Sequence, residues 1–144
     1  MNIALVLDGS GSVGSDDFEI EQEFAKNLTA AFAESNLFAN GGSASYVQFT
    51  SYVDASDTGT FYSLAGFNDF VDANEYNGGF TNIDAGINAA RALLNNAPNA
   101  SASFMFVLTD GADTVTDADD ARADGITLIA VGVGKEYLNF HRRP

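Results

Sequence analysis

A chain of 144 residues with 46% apolar side chains, 12 Phe and no Trp matches one globular domain, long enough to bury close to about 70% of the surface its unfolded form exposes. Its 20 Asp and Glu against 6 Lys and Arg, a formal charge of -14, exclude nucleic acid or an anionic membrane surface as the main partner. No apolar run approaches the roughly 20 residues of a membrane span, so no membrane insertion is expected, and the absence of cysteine removes disulfides, zinc-thiolate sites and a cysteine nucleophile.

Asn2 to Leu7 (NIALVL) is a short continuous apolar run, the pattern of a strand covered on both faces. Asp8-Gly9-Ser10-Gly11-Ser12-Val13-Gly14 follows as a loop. Phe24, Leu28 and Phe32 then recur at helical spacing. Ala44 to Phe49 (ASYVQF) predicts a second strand. Tyr52 to Leu64, with turn signals at Asp57 and Gly59, predicts a short hairpin or edge strand. Phe67, Phe70 and Val71 suggest a short helix, and Gly78-Gly79-Phe80-Thr81-Asn82 a loop. Ile83, Ile87, Ala90, Leu94 and Ala97 alternate steps of four and three, a further helix whose start, Thr81 with Asp84, resembles a capping box. Ala102 to Leu108 and Ile126 to Val133 are again continuous apolar runs, read as buried strands. Between them Thr109-Asp110-Gly111 is a loop, and Asp113, Asp117, Asp119 and Asp120 crowd the next helix start, where a solvated acidic face explains them as well as a calcium site would.

Strand and helix alternate, which predicts an α/β fold: a doubly wound, Rossmann-like, mostly parallel sheet with one antiparallel edge strand and helices on both faces. Residues 1–134 form the domain. Residues 135–144, with Lys135, His141, Arg142 and Arg143, read as an atypical tail, so the chain is expected to be part of a longer precursor. Met1 leads straight into the first strand without a basic and apolar leader, which points to an intracellular protein or an excised domain. Two N-x-[ST] triplets, at Asn27 and Asn99, fit the glycosylation pattern, the first inside a helix.

Ligands of open α/β sheets bind outside the carboxyl ends of the strands, and three of the loops meet at that edge. They carry Asp8, Ser10, Ser12, Thr81 and Asp110: two carboxylates and three hydroxyls, with no thiolate and no imidazole. Such an oxygen-only set suits a hard cation, Mg²⁺ first and Mn²⁺ second. With only two charged ligands, a bound dication keeps a replaceable position that a partner's carboxylate fills well.

The D-x-S-x-S pattern of Asp8, Ser10 and Ser12, followed by GGFTN with Thr81 and LTDG with Asp110, resembles the metal-ion-dependent adhesion site of von Willebrand factor type A domains. The likeness extends through VQF at Val47 to Phe49, GGFTNIDAGI at Gly78 to Ile87, FVLTDGAD at Phe106 to Asp113 and GITLIAVGVG at Gly125 to Gly134. It is strongest to the collagen-binding and extracellular matrix branch. The resemblance implies that Ser10, Ser12 and Thr81 ligate directly, with Asp8 and Asp110 direct or through water. It further implies a partner protein presenting Glu or Asp, collagen or another matrix protein, at an extracellular or cell-surface location, and no enzymatic activity. The family finishes with a further strand and a long helix that KEYLNFHRRP does not resemble.

Two other readings compete. The missing leader favours a cytoplasmic type A domain acting as an assembly or regulatory subunit. Gly9, Gly11 and Gly14 also spell G-x-G-x-x-G between a strand and a helix, the setting of a dinucleotide-binding oxidoreductase. Against that, Asp8 would repel a pyrophosphate, and Gln48 and Thr50 stand where a ribose-binding acid is expected. No phosphate-binding G-x-x-x-x-G-K-[ST] loop or G-x-S-x-G serine elbow is present, and His141 lies in the tail, so no hydrolase triad assembles.

Overall fold

The strand Asn2–Asp8, β1, lies at the centre of a five-stranded sheet, with all seven of its residues buried. The computed structural model describes residues 1–97, 102–109 and 118–133. Along the chain, β1 is followed by α1 (Gly14–Glu34), β2 (Ser43–Phe49), a single 3-10 turn at Ala55–Asp57, β3 (Thr58–Phe61) and α2 (Leu64–Ala73). Then come α3 (Ile83–Asn95), β4 (Ser103–Thr109), α4 (Ala118–Ala123) and β5 (Ile126–Gly132). The strand order is β3-β2-β1-β4-β5, parallel except for β3, which runs antiparallel to β2. The expected mostly parallel sheet with one antiparallel edge strand is therefore the observed one.

β1 explains why both faces carry helices. Its side chains alternate: Ile3, Leu5 and Leu7 join Phe18 and Ala25 of α1 and Phe67 and Val71 of α2 in one core. Ala4 and Val6 join Ile83, Ile87, Ala90 and Leu94 of α3 and Ala121 of α4 in the other. Each large apolar side chain so buried contributes about 1.5–3 kcal/mol relative to exposure, so a strand covered twice has no position left for polar alternation. The connections from β1 and β4 lead to opposite sides of the sheet, and the crevice this opens lies at the carboxyl end of β1. Asp8 pairs with Phe49 and Leu7 with Leu108 in register, so the ends of β2 and β4 flank that crevice.

Three expectations change in detail. The buried face of α1 is centred on Phe18, Glu21, Ala25 and Thr29, while Phe24, Leu28 and Phe32 pack from its margin; Glu21 is drawn in because its carboxylate serves the backbone of β1, as described below. The cap of α3 is Asn82, whose side chain accepts the Ala85 N–H at 3.2 Å, so the Thr81–Asp84 capping box does not form and Thr81 stands one residue outside the cap. β5, read as buried, has Thr127, Ile129 and Ala130 exposed, because among the described residues it pairs only with β4. Asp113, Asp117, the Asn99 triplet and the 135–144 tail lie outside the described residues.

Candidate metal-binding site

Asp8 closes β1 fully buried, and its carboxylate is held on both sides: Oδ1 accepts the Ser10 N–H at 2.9 Å and Oδ2 accepts the Thr109 hydroxyl, from the end of β4, at 3.0 Å. Its own N–H donates to Oε1 of the buried Glu21 at 2.8 Å. Ser10 is likewise buried, and its Oγ lies 3.1 Å from Oγ of the exposed Ser12. The turn thus brings the Ser10 and Ser12 hydroxyl oxygens together, with the Asp8 carboxylate bonded to the Ser10 backbone.

The loop carrying Thr81 is tied to this turn by backbone. Gly11 N–H donates to Gly79 O at 2.7 Å and Gly78 N–H to Gly9 O at 2.9 Å. Gly78 and Gly79 have φ of 74° and 114°, left-handed values that glycine adopts without the penalty of a Cβ. On the far side of Thr81, Asn82 N–H donates to Thr50 O at 2.7 Å. Half-buried Thr81 therefore sits between anchors to the turns that follow β1 and β2, beside Phe80, which is 84% exposed. Asp110 follows Thr109 directly in the chain and lies outside the described residues.

Sequence reasoning missed three residues that support the edge. Thr109 braces Asp8; its signal was a hydroxyl at a strand end next to an Asp. Tyr76 Oη donates to Ser10 O at 2.9 Å. Gln48 fills the space beneath Gly9, where an added Cβ would lie 2.1 Å from its Oε1. A cleft of about 650 Å³ opens alongside, walled by Thr50, Tyr52, Asp54, Glu75 and Gly79 over Asp57. The Ser56 backbone N–H, then its hydroxyl, hold the Asp54 carboxyl below its ordinary value.

Among the described residues no three His, Cys, Asp or Glu side chains gather to hold a metal. The described Lys and Arg side chains pair elsewhere, Lys26 with Glu23 and Asp72, Arg91 with Asp124, Arg122 with Asp119. Among the described residues, no helix is long and apolar enough to cross a membrane.

The family model of the von Willebrand factor type A domain matches residues 2–141. The chain belongs to that family. This type A domain is 31% identical over 140 residues to the collagen alpha-1(XXI) chain of Xenopus laevis, covering 94% of this chain and 14% of that one. It is 30% identical over 146 residues to cochlin of Mus musculus, covering 92% and 25%. The chain thus spans no more than a quarter of the length of these relatives. Among solved structures, proximal thread matrix protein 1 of the mussel byssus, with a zinc-occupied MIDAS motif, aligns with a TM-score of 0.71 at 21% identity over 91% of this chain and 37% of that one. An aerotolerance-related membrane protein of Bacteroides fragilis aligns with a TM-score of 0.68 at 21% identity, over 93% and 68%. These likenesses show the type A fold.

Proposed function

We propose that this type A domain is a noncatalytic, cation-dependent protein-binding module whose metal is held by Asp8, Ser10, Ser12, Thr81 and Asp110. The observation that carries the reading is the pair of hydroxyl oxygens of Ser10 and Ser12, 3.1 Å apart beside the fixed Asp8 carboxylate. Adjacent ligands of an octahedral Mg²⁺ lie about 2.9 Å apart, given bonds of roughly 2.0–2.1 Å, so the pair already stands near the separation of two neighbouring vertices. Mg²⁺ is the first choice and Mn²⁺ the second. When bound, the ion supplies a Lewis-acidic position that an incoming carboxylate fills. The chain's own residues do the rest: Thr109 and the Ser10 N–H aim Asp8, and the glycine-to-glycine bonds hold the Thr81 loop in reach.

The partner is a protein presenting Glu or Asp, and the kinship with a collagen chain and with cochlin supports collagen or another extracellular matrix protein, met by this domain as part of a longer chain. The zinc-occupied motif of the mussel protein supports a metal at the corresponding edge. A dinucleotide reading is disfavoured by the same loop. The N–H groups of Gly9, Ser10, Gly11 and Val13 donate to Phe49 O, Asp8 Oδ1, Gly79 O and Ser10 O, so they are already engaged where a pyrophosphate would need them.

Titration calorimetry with Mg²⁺ and Mn²⁺ tests the site. Saturable heats are expected for the wild type and their loss for Ser12→Ala and Asp110→Ala; heats that are indistinguishable among the three proteins would sink the metal assignment.

A further inference from the structure

Asp57 ends the single 3-10 turn only 8% exposed, far in sequence from the metal-site motifs, yet it is the hub of a polar network that reaches both loops of the site. Its Oδ1 accepts from Asn74 Nδ2 and its Oδ2 from Asn77 Nδ2, each at 2.7 Å. Asn74 Oδ1 in turn accepts from Tyr46 Oη at 2.8 Å and from Gln48 Nε2 at 2.7 Å. Burial pushes the Tyr46 phenol above its ordinary value, so it remains a donor. Gln48 also donates to Glu75 O at 2.8 Å, and its Oε1 accepts the Asn77 N–H at 3.0 Å.

The segment from Asn74 to Asn77 is therefore gripped on side chains and backbone by two buried residues of β2 and by Asp57. Gln48 is the pivot, because the same amide that holds this segment lies against Gly9, with no room for a Cβ between them. Just beyond the gripped segment, Gly78 and Gly79 bond to Gly9 and Gly11, and Thr81 follows. Within the gripped segment Tyr76 Oη donates to Ser10 O at 2.9 Å, which ties the segment to the Asp8–Ser12 turn as well.

We propose that Asp57, Asn74 and Gln48 are positioning residues that set the separation of the Asp8–Ser12 turn and the Thr81 loop, and through it the affinity for the cation. The affinity part rests on the metal reading above; the positioning part does not. Partners that orient metal ligands from behind alter affinity by about 10–100-fold when removed.

The test uses the 144-residue chain, as wild type, Asn74→Asp, and the swap Asp57→Asn with Asn74→Asp. The single variant sets a carboxylate against Asp57. The swap keeps the formal charge of -14 and can remake every bond, with the residue at 57 donating to the residue at 74 and accepting from Asn77. A direct charge effect has the opposite sign to the proposal: one more carboxylate near the site would tighten cation binding. Calorimetry with Mn²⁺ is expected to show at least about tenfold weaker binding in Asn74→Asp and recovery in the swap. Unchanged or tighter binding in the single variant overturns the proposal.

Amide hydrogen exchange without metal supplies the independent readout. Protection of Gly11 and Gly78 should fall in Asn74→Asp and return in the swap, while the β1 amides stay protected in all three proteins. Persistent protection of Gly11 and Gly78, or loss of protection across β1 as well, overturns positioning. If wild type gives no heat with Mn²⁺, the metal reading and the affinity part fail together, and the exchange data still decide the positioning part.

Discussion

Thr29 is wholly buried on α1, and its hydroxyl meets no hydrogen-bond partner among the described residues. A buried polar group left so costs about 1–3 kcal/mol of desolvation, whereas an apolar group of the same shape costs nothing comparable. Thr29→Val is therefore expected to raise unfolding free energy by about 1 kcal/mol, measured by urea denaturation; a loss of that size would mean the hydroxyl has a partner after all. Residues of this kind mark the limit of what the sequence discloses. Asp8, Ser10 and Ser12 were legible because their signal is local: alternating oxygens and glycines right after a buried strand. Gln48, Asp57 and Asn74 were not, since each is an ordinary polar residue whose role comes from partners on other elements. Thr81 reads as a metal ligand from the place of its loop and as a helix cap from its spacing to Asp84, and the cap is instead its neighbour Asn82, whose side chain takes the Ala85 N–H.

Elements were legible where two-sided burial erases alternation, as in NIALVL of β1. β5 shows the converse, for its apolar run reads as buried while Ile129 is 38% exposed at the sheet edge. Gly86 in α3 illustrates how packing overrides propensity. Alanine there would improve helix propensity by about 1 kcal/mol, yet its Cβ would lie 2.5 Å from Phe49 Cδ1 and 3.0 Å from Val6 Cγ1, both in fully buried residues. Overpacking of that kind costs about 1–3 kcal/mol, so Gly86→Ala is expected to lower the denaturation midpoint; a rise would show that Phe49 can move aside. The join between α3 and the turn before β5 carries a pH signature. Hydrogen bonds from Arg91, then from Asn95, hold the Asp124 carboxyl below its ordinary value. A carboxyl lowered in the folded state adds stability that is full above the unfolded pKa, about 3.9 for Asp, and is lost as pH falls through the lower folded value. Asp124→Asn should accordingly be less stable than wild type at neutral pH, with the gap closing as acid protonates the folded carboxyl; a gap that is constant with pH would disprove the linkage.

At the scale of the whole molecule, a formal charge of -14 means that any salt stabilises the compact state by screening self-repulsion. A bare rise in melting temperature on adding MgCl₂ therefore proves nothing about a site. The two effects separate by saturation and by mutation. Screening grows gradually with ionic strength and acts equally on wild type and Ser12→Ala, since the substitution changes no charge. A site-bound ion instead adds RT ln(1 + [L]/Kd), about 2.7 kcal/mol at a hundredfold excess over Kd. With ionic strength matched by NaCl, wild type should gain a Mg²⁺-dependent increment in unfolding free energy that EDTA reverses and Ser12→Ala lacks. Equal increments in the two proteins would assign the whole effect to diffuse counterions, and the acidic surface rather than the Asp8 loop would be what cations see.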